Sequence, residues 1–107
     1  MSARQQIYVG GNWVDSAGDG SIAVVNPSNE EVIGSVPNGV SADVDAAVAA
    51  AREAFPGWAA TPLEERLGYI EELAGQLGAR SEEIGELISR EVGMPGKIAV
   101  MIQAGLP

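Results

Sequence analysis

The sequence predicts an α+β fold, with short strands and turns over residues 1–40 and three to four helices over residues 41–107. Three observations carry this. Up to residue 40, β-branched and aromatic stretches alternate with clusters of Gly, Asn, Pro and Ser. Beyond it, apolar residues recur at helical spacing, with acidic residues on the other faces. A chain of 107 residues has room for one small domain or part of one, and strands followed by helices segregate rather than alternate.

The elements follow in order. Ile7-Tyr-Val9 and Asn12-Trp-Val14 flank Gly10-Gly11, a hairpin signal because both loop residues tolerate positive φ. Asp15 to Gly20 is a loop by composition. Ile22 to Val25 is a short β-branched strand, Asn26-Pro-Ser-Asn-Glu30 is turn chemistry, and Val32 to Val36 is the returning strand, ended by Pro37-Asn-Gly39. Ser41 is the expected N-cap of the first helix, with Asp43 and Asp45 in its first turn, where the helix dipole favours negative charge. Val44, Ala47, Val48, Ala51 and Phe55 form its apolar face, and Pro56-Gly57 is expected to end it. Thr61-Pro62-Leu63-Glu64 reads as a capping box for a second helix, whose stripe is Leu63, Leu67, Ile70, Leu73, Ala74 and Leu77. Ser81 is the expected cap of a third, with Ile84, Leu87 and Ile88 apolar, Glu86 and Arg90 spaced for an ion pair, and Gly93 as its stop. After Pro95-Gly96, Lys97 to Ala104 begins another amphipathic segment.

Composition excludes several function classes. The formal net charge is −9, and the six basic residues are scattered, so neither nucleic acid nor an anionic membrane is an expected partner. The chain has no cysteine and no histidine, which removes disulfides, thiolate chemistry, thiolate zinc sites and the commonest general base. Residues 1–6 lack the apolar core of a signal peptide, and no stretch approaches the roughly 20 apolar residues of a membrane span, so a cytoplasmic setting is expected.

Candidate chemistry is sparse. Gly34 to Ser41 mimics the glycine-rich loop that cradles phosphates, but Val40 stands where that loop needs lysine, and Pro37 removes an N–H donor. Gly18-Asp-Gly20 lacks the third glycine of a dinucleotide fingerprint. The doublets Glu64-Glu65, Glu71-Glu72 and Glu82-Glu83 fall on polar helix faces, where nothing would drive their pKa values apart for acid–base work. Met94 and Met101 read as gap-fillers.

One resemblance runs along nearly the whole chain. Tyr8-Val-Gly-Gly-Asn-Trp-Val-Asp15, Val24-Val-Asn-Pro27 and Glu31-Val-Ile-Gly-Ser-Val-Pro37 come first. The helical stretch Asp43 to Trp58, then Thr61-Pro-Leu-Glu-Glu-Arg66 and Glu91-Val-Gly-Met-Pro95 complete the series. In this order and spacing they resemble the N-terminal segment of NAD(P)-dependent aldehyde dehydrogenases, a family of much longer chains. The resemblance implies an α/β parent whose cofactor-binding domain includes this piece, truncated at its C-terminus. It implies that the parent oxidises an aldehyde to a carboxylic acid with NAD or NADP. There a cysteine thiolate attacks the carbonyl, a backbone N–H and an asparagine stabilise the oxyanion, and a glutamate activates water. None of these groups, and no cofactor-binding residue, maps onto a position here. The one site feature carried over is a pair of main-chain carbonyls, those of Val24 and Val25, which in the family help hold a monovalent cation. The implied partners are the remainder of the parent chain and further copies of it, as a dimer or tetramer.

Two readings therefore stand side by side: a structural, non-catalytic portion of an aldehyde dehydrogenase, or a free-standing interaction module or remnant of a decayed gene. The core is also expected to be thin, because alanine makes up much of the apolar count and three short strands cannot cover three helices. The chain alone is expected to pack loosely or self-associate.

Overall fold

The structure, a computed structural model, describes residues 2–3 and 5–106. The fold is α+β. Among the described residues the strands are β1 (Ser2–Ala3), β2 (Gln6–Val9), β3 (Asn12–Asp15), β4 (Ser21–Val25) and β5 (Val32–Pro37). The helices are α1 (Ser41–Ala60), α2 (Leu63–Ala79), α3 (Ser81–Val92) and α4 (Gly96–Ile98), the last continuing as a π-helical turn over Ala99–Gln103.

The chain falls into two compact units. The first takes the residues up to Val24 together with Val32–Thr61. Its hairpin pairs Gln6 with Asp15, Ile7 with Val14, Tyr8 with Trp13 and Val9 with Asn12. Gly10 and Gly11 lie at φ 59° and 84°, the left-handed conformation that a two-residue loop needs to match strand twist. Across the register the Tyr8 and Trp13 rings meet edge-on, with centroids 5.1 Å apart. A second sheet has the order β1-β5-β4, with β1 parallel to β5. The β1 strand carries no pattern that sequence reading could detect, being two residues long. The Asn38 amide donates to the Gly20 carbonyl at 2.9 Å, closing the open end of the β4–β5 pair.

The first helix departs from expectation at both ends. Ser41 is its first helical residue; the capping position is Val40, whose side chain holds no oxygen. The stand-in is Asp43, which accepts the Val40 amide at 2.9 Å, half of a capping box reached from inside the helix. Nor does Pro56-Gly57 end it. A helical proline forfeits one backbone hydrogen bond and crowds the preceding turn, yet α1 continues to Ala60. It closes where the Thr61 amide donates to the Trp58 carbonyl at 3.1 Å and the Thr61 hydroxyl to the Gly57 carbonyl at 3.0 Å. Thr61 is thus spent on the end of α1 and does not cap α2, whose capping position is Pro62.

The second unit comprises Val25–Glu31 and the chain from Pro62 onward. Its turn is built by Asn26. The Asn26 Oδ1 accepts the Ser28 amide at 2.9 Å, its carbonyl accepts the Glu30 amide at 2.8 Å, and its own amide donates to the Glu31 carbonyl at 2.9 Å. Between α2 and α3 the capping position is Arg80, with no side-chain cap, so Ser81 is helical rather than a cap. The charges pair differently from expectation too. Arg80 donates twice to Glu83, each at 2.8 Å, whereas Glu86 and Arg90 form no pair. The bidentate geometry of the neighbouring pair draws on the turn at Arg80. Gly93 does end α3, at φ 77°, and a side chain there would also meet Pro27 Cγ at 2.9 Å.

The tightest packing joins α3 to the segment after Pro95. A Cβ on Gly85 would stand 2.9 Å from the Val100 Cα, so only glycine lets the two backbones approach. Among the described residues the buried apolar ones are Ala99 and Ala104, and no large side chain is wholly buried.

Candidate functional site

The most connected polar group is Asp43, in the first turn of α1. It is 9% exposed. Its Oδ2 accepts the Ser16 hydroxyl at 2.6 Å and the Val40 amide at 2.9 Å, and its Oδ1 accepts the Ala17 amide at 2.8 Å. Ser16 is itself fixed, its Oγ accepting the Gly18 amide at 3.1 Å. The Ala17 amide, the Ser16 hydroxyl and the Val40 amide together hold the Asp43 carboxyl below its ordinary range, against the upward push of burial. A carboxylate held ionised by three donors is poorly suited to taking up a proton near neutral pH. Asp43 is a clamp between the loop after β3 and the start of α1. Sequence reading assigned it only a dipole role.

The clamp decides the fate of the phosphate-loop look-alike. The segment from Gly34 to Ser41 forms the end of β5, a connection and the first residue of α1. At such a helix start free amides would face an anion. Here the Val40 amide is already bound by the Asp43 carboxylate. With no lysine, no N–H at Pro37 and a fixed negative charge in the first turn, these residues do not fit a nucleotide phosphate.

The other candidates are dispersed. Val24 and Val25 are the last two residues of β4, immediately before the Asn26 turn. Glu64, Glu65, Glu71, Glu72, Glu82 and Glu83 are all exposed. Glu65 accepts the Tyr69 hydroxyl at 3.3 Å, and Glu83 is held by Arg80, which lowers its carboxyl pKa. Among the described residues, no group of three or more His, Cys, Asp or Glu could hold a metal ion. A hollow of about 520 Å³ lies where the Gly10-Gly11 turn faces α1, lined by Tyr8, Val9, Ala47, Ala51 and Glu53 among others. Its side-chain polar groups are the Glu53 carboxylate and the Tyr8 phenol, and no hydrogen bond joins the two.

Relatives supply the context for these residues. The family model for the aldehyde dehydrogenase family matches residues 13–103. The chain belongs to that family. It is an N-terminal segment of it. A 3-succinoylsemialdehyde-pyridine dehydrogenase from a Pseudomonas species is 34% identical over 107 residues, which is 100% of this chain and 21% of that protein. An aldehyde dehydrogenase structure from Bartonella henselae superposes with a TM-score of 0.93 at 33% identity, over 97% of this chain and 22% of that one. Aldehyde dehydrogenase C from Pseudomonas syringae, solved with NAD+ and octanal, gives a TM-score of 0.91 at 43% identity, over 94% of this chain and 21% of that one. The aldehyde dehydrogenase segment therefore spans about a fifth of the length of the relatives it matches. Its solved relatives include complexes with NAD and with NADP. Among its described residues, no helix is long and apolar enough to cross a membrane.

Proposed function

We propose that this chain is the non-catalytic N-terminal portion of an NAD(P)-dependent aldehyde dehydrogenase whose whole chain oxidises an aldehyde to a carboxylic acid. The observation that carries the reading is the match over residues 13–103 to a family whose matched relatives are about five times longer, joined to a chain with no cysteine and no histidine. A thiol nucleophile and a phosphate-binding turn must then come from elsewhere in the enzyme. The segment's part is support. Its clamped loop and helix start, its hairpin and its exposed helix faces are surfaces against which the rest of the enzyme packs, as part of the cofactor-binding domain. NAD or NADP accepts the hydride in the whole enzyme, and no residue of this segment is assigned to hold it. The carbonyls of Val24 and Val25 contribute to a monovalent-cation site in that context. The partners are the remainder of the enzyme chain and, in a cytoplasmic dimer or tetramer, further copies of it.

The test is direct. The 107-residue chain, incubated with short and aromatic aldehydes and either nicotinamide cofactor, should give no reduced nicotinamide and no calorimetric binding of NAD. The full-length protein should give both. Turnover by the 107 residues alone, in protein free of contaminating dehydrogenase, would overturn the reading.

A further inference from the structure

We propose that Asn38 is a site of spontaneous covalent modification, in which its carboxamide is lost through a cyclic imide formed with the Gly39 amide nitrogen. The reaction needs three things: a following residue small enough to let its nitrogen approach, a nitrogen not engaged as a donor, and a carboxamide free to turn toward it. The chain has four asparagines, and only Asn38 meets all three.

Asn12 is followed by Trp13 within β3, and its Nδ2 donates to the Gly10 carbonyl at 3.2 Å. Asn26 precedes Pro27, which has no N–H, and its Oδ1 is bound by the Ser28 amide. Asn29 precedes Glu30, and its carboxamide is held at both ends by Glu31, at 2.8 Å through Nδ2 and 3.2 Å through Oδ1. Asn38 precedes Gly39, and both are exposed in irregular backbone between β5 and α1. Among the described residues the Asn38 carboxamide makes no hydrogen bond and the Gly39 amide donates to no acceptor. The Asn38 main chain is anchored by its amide on the Gly20 carbonyl, so its backbone is held while its carboxamide, beside Gly20, is tied by no hydrogen bond.

The step balances without a redox partner. The Gly39 nitrogen gives its proton to solvent hydroxide and attacks the Asn38 Cγ. The new N–Cγ bond forms as the Cγ–Nδ2 bond breaks, and Nδ2 leaves as ammonia, taking a proton from water. Water then opens the imide at Cγ to give aspartate, or at the main-chain carbonyl to give isoaspartate. Either product adds a negative charge to a chain already at −9. Isoaspartate also inserts a methylene into the main chain two residues before Val40, whose amide is bound by Asp43. The site is thus coupled to the clamp at the start of α1.

The experiment is to hold the full-length enzyme that carries this segment in mildly alkaline buffer and to map mass gains over these 107 residues by electron-transfer fragmentation. The expected result is a gain of about one dalton at Asn38, with isoaspartate predominating, ahead of the other three asparagines in native buffer. Asn12, Asn26 and Asn29 serve as internal controls. Gly39→Ala should suppress the gain without disturbing the fold, since a Cβ there would lie 3.8 Å from Asp43 Oδ2, an ordinary contact. No gain at Asn38 in native buffer, equal gains at all four asparagines, or an undiminished gain in Gly39→Ala would each overturn the proposal.

Discussion

The Asp43 carboxylate accepts the Ser16 hydroxyl at 2.6 Å, joining positions 27 residues apart. With the Ala17 and Val40 amides, it turns an acidic helix residue into the fastener of a loop that has no core of its own. A buried carboxylate with three donors is stable only while ionised, which makes the clamp sensitive to acid.

The first prediction is its pH dependence. The folded carboxyl lies below its ordinary value of 3.8. Its contribution is therefore fully present above that value and is lost as pH falls through the lower, folded one. In the full-length enzyme, where the segment is ordered, the Ala17 amide resonance should titrate at a pH below the ordinary 3.8. Asp43→Asn should lower the urea midpoint at neutral pH and abolish that titration. An Ala17 resonance that titrates at or above the ordinary value would show that the clamp does not hold in solution.

Gly85 yields a second prediction. Any side chain there drives α3 away from Val100 and the π turn, because the obstacle is backbone. Gly85→Ala should cost about 1–3 kcal/mol, as overpacking does, despite alanine's better helix propensity. Gly75, in α2, has nothing near its absent Cβ, so Gly75→Ala is the control and should stabilise. Chemical denaturation of the two variants side by side, in the full-length enzyme where the segment is ordered, separates packing from propensity.

Thr61 gives a third. Its hydroxyl donates to the Gly57 carbonyl, at the end of α1, and Glu64 does not reciprocate. In the full-length enzyme, Thr61→Ala should cost no more than about 1 kcal/mol, because the bond is exposed. Its effect should add to that of Glu64→Gln. A coupling between the two in a double-mutant cycle would restore the capping box that the sequence suggested.

The elements were legible where one residue type had a single physical solution. Gly10-Gly11 had to make the hairpin loop, and Gly93 had to stop α3, since both places need positive φ. The caps were not legible. Ser41, Thr61 and Ser81 all have the right chemistry, but each lies one residue off, or faces the wrong way, once the helices extend. Pro56 misled because a proline sets a cost on a helix rather than forbidding it. Asp43 was missed because its donors, Ser16 and Ala17, lie in a loop with no pattern of its own. The signal that could have found it is an acid three residues after a residue unable to cap, the second half of a capping box with the first half vacant. For Val24 and Val25 no residue chemistry speaks at all, since a main-chain carbonyl leaves no trace in sequence.

The last prediction concerns whether these 107 residues fold alone. The intended core faces stand open, helix by helix. In α1, Val44 is 61% and Phe55 66% exposed; in α2, Leu67 is 46% and Ile70 57%. Burial stabilises by roughly 25 cal/mol per Å² of apolar surface, and ordering costs about 1.5 kcal/mol per residue. With Ala99 and Ala104 as the buried apolar side chains, the first quantity is small while the second grows with every ordered residue. The chain by itself should therefore be loosely packed or self-associated, and should order against the remainder of an aldehyde dehydrogenase. Proton–nitrogen NMR at low concentration decides the matter. Broad, poorly dispersed resonances and fast-exchanging amides in α1 and α2 are expected. Sharp, dispersed signals from a monomer, with slow exchange in those helices, would mean that the open faces are tolerated and that the segment is an autonomous domain.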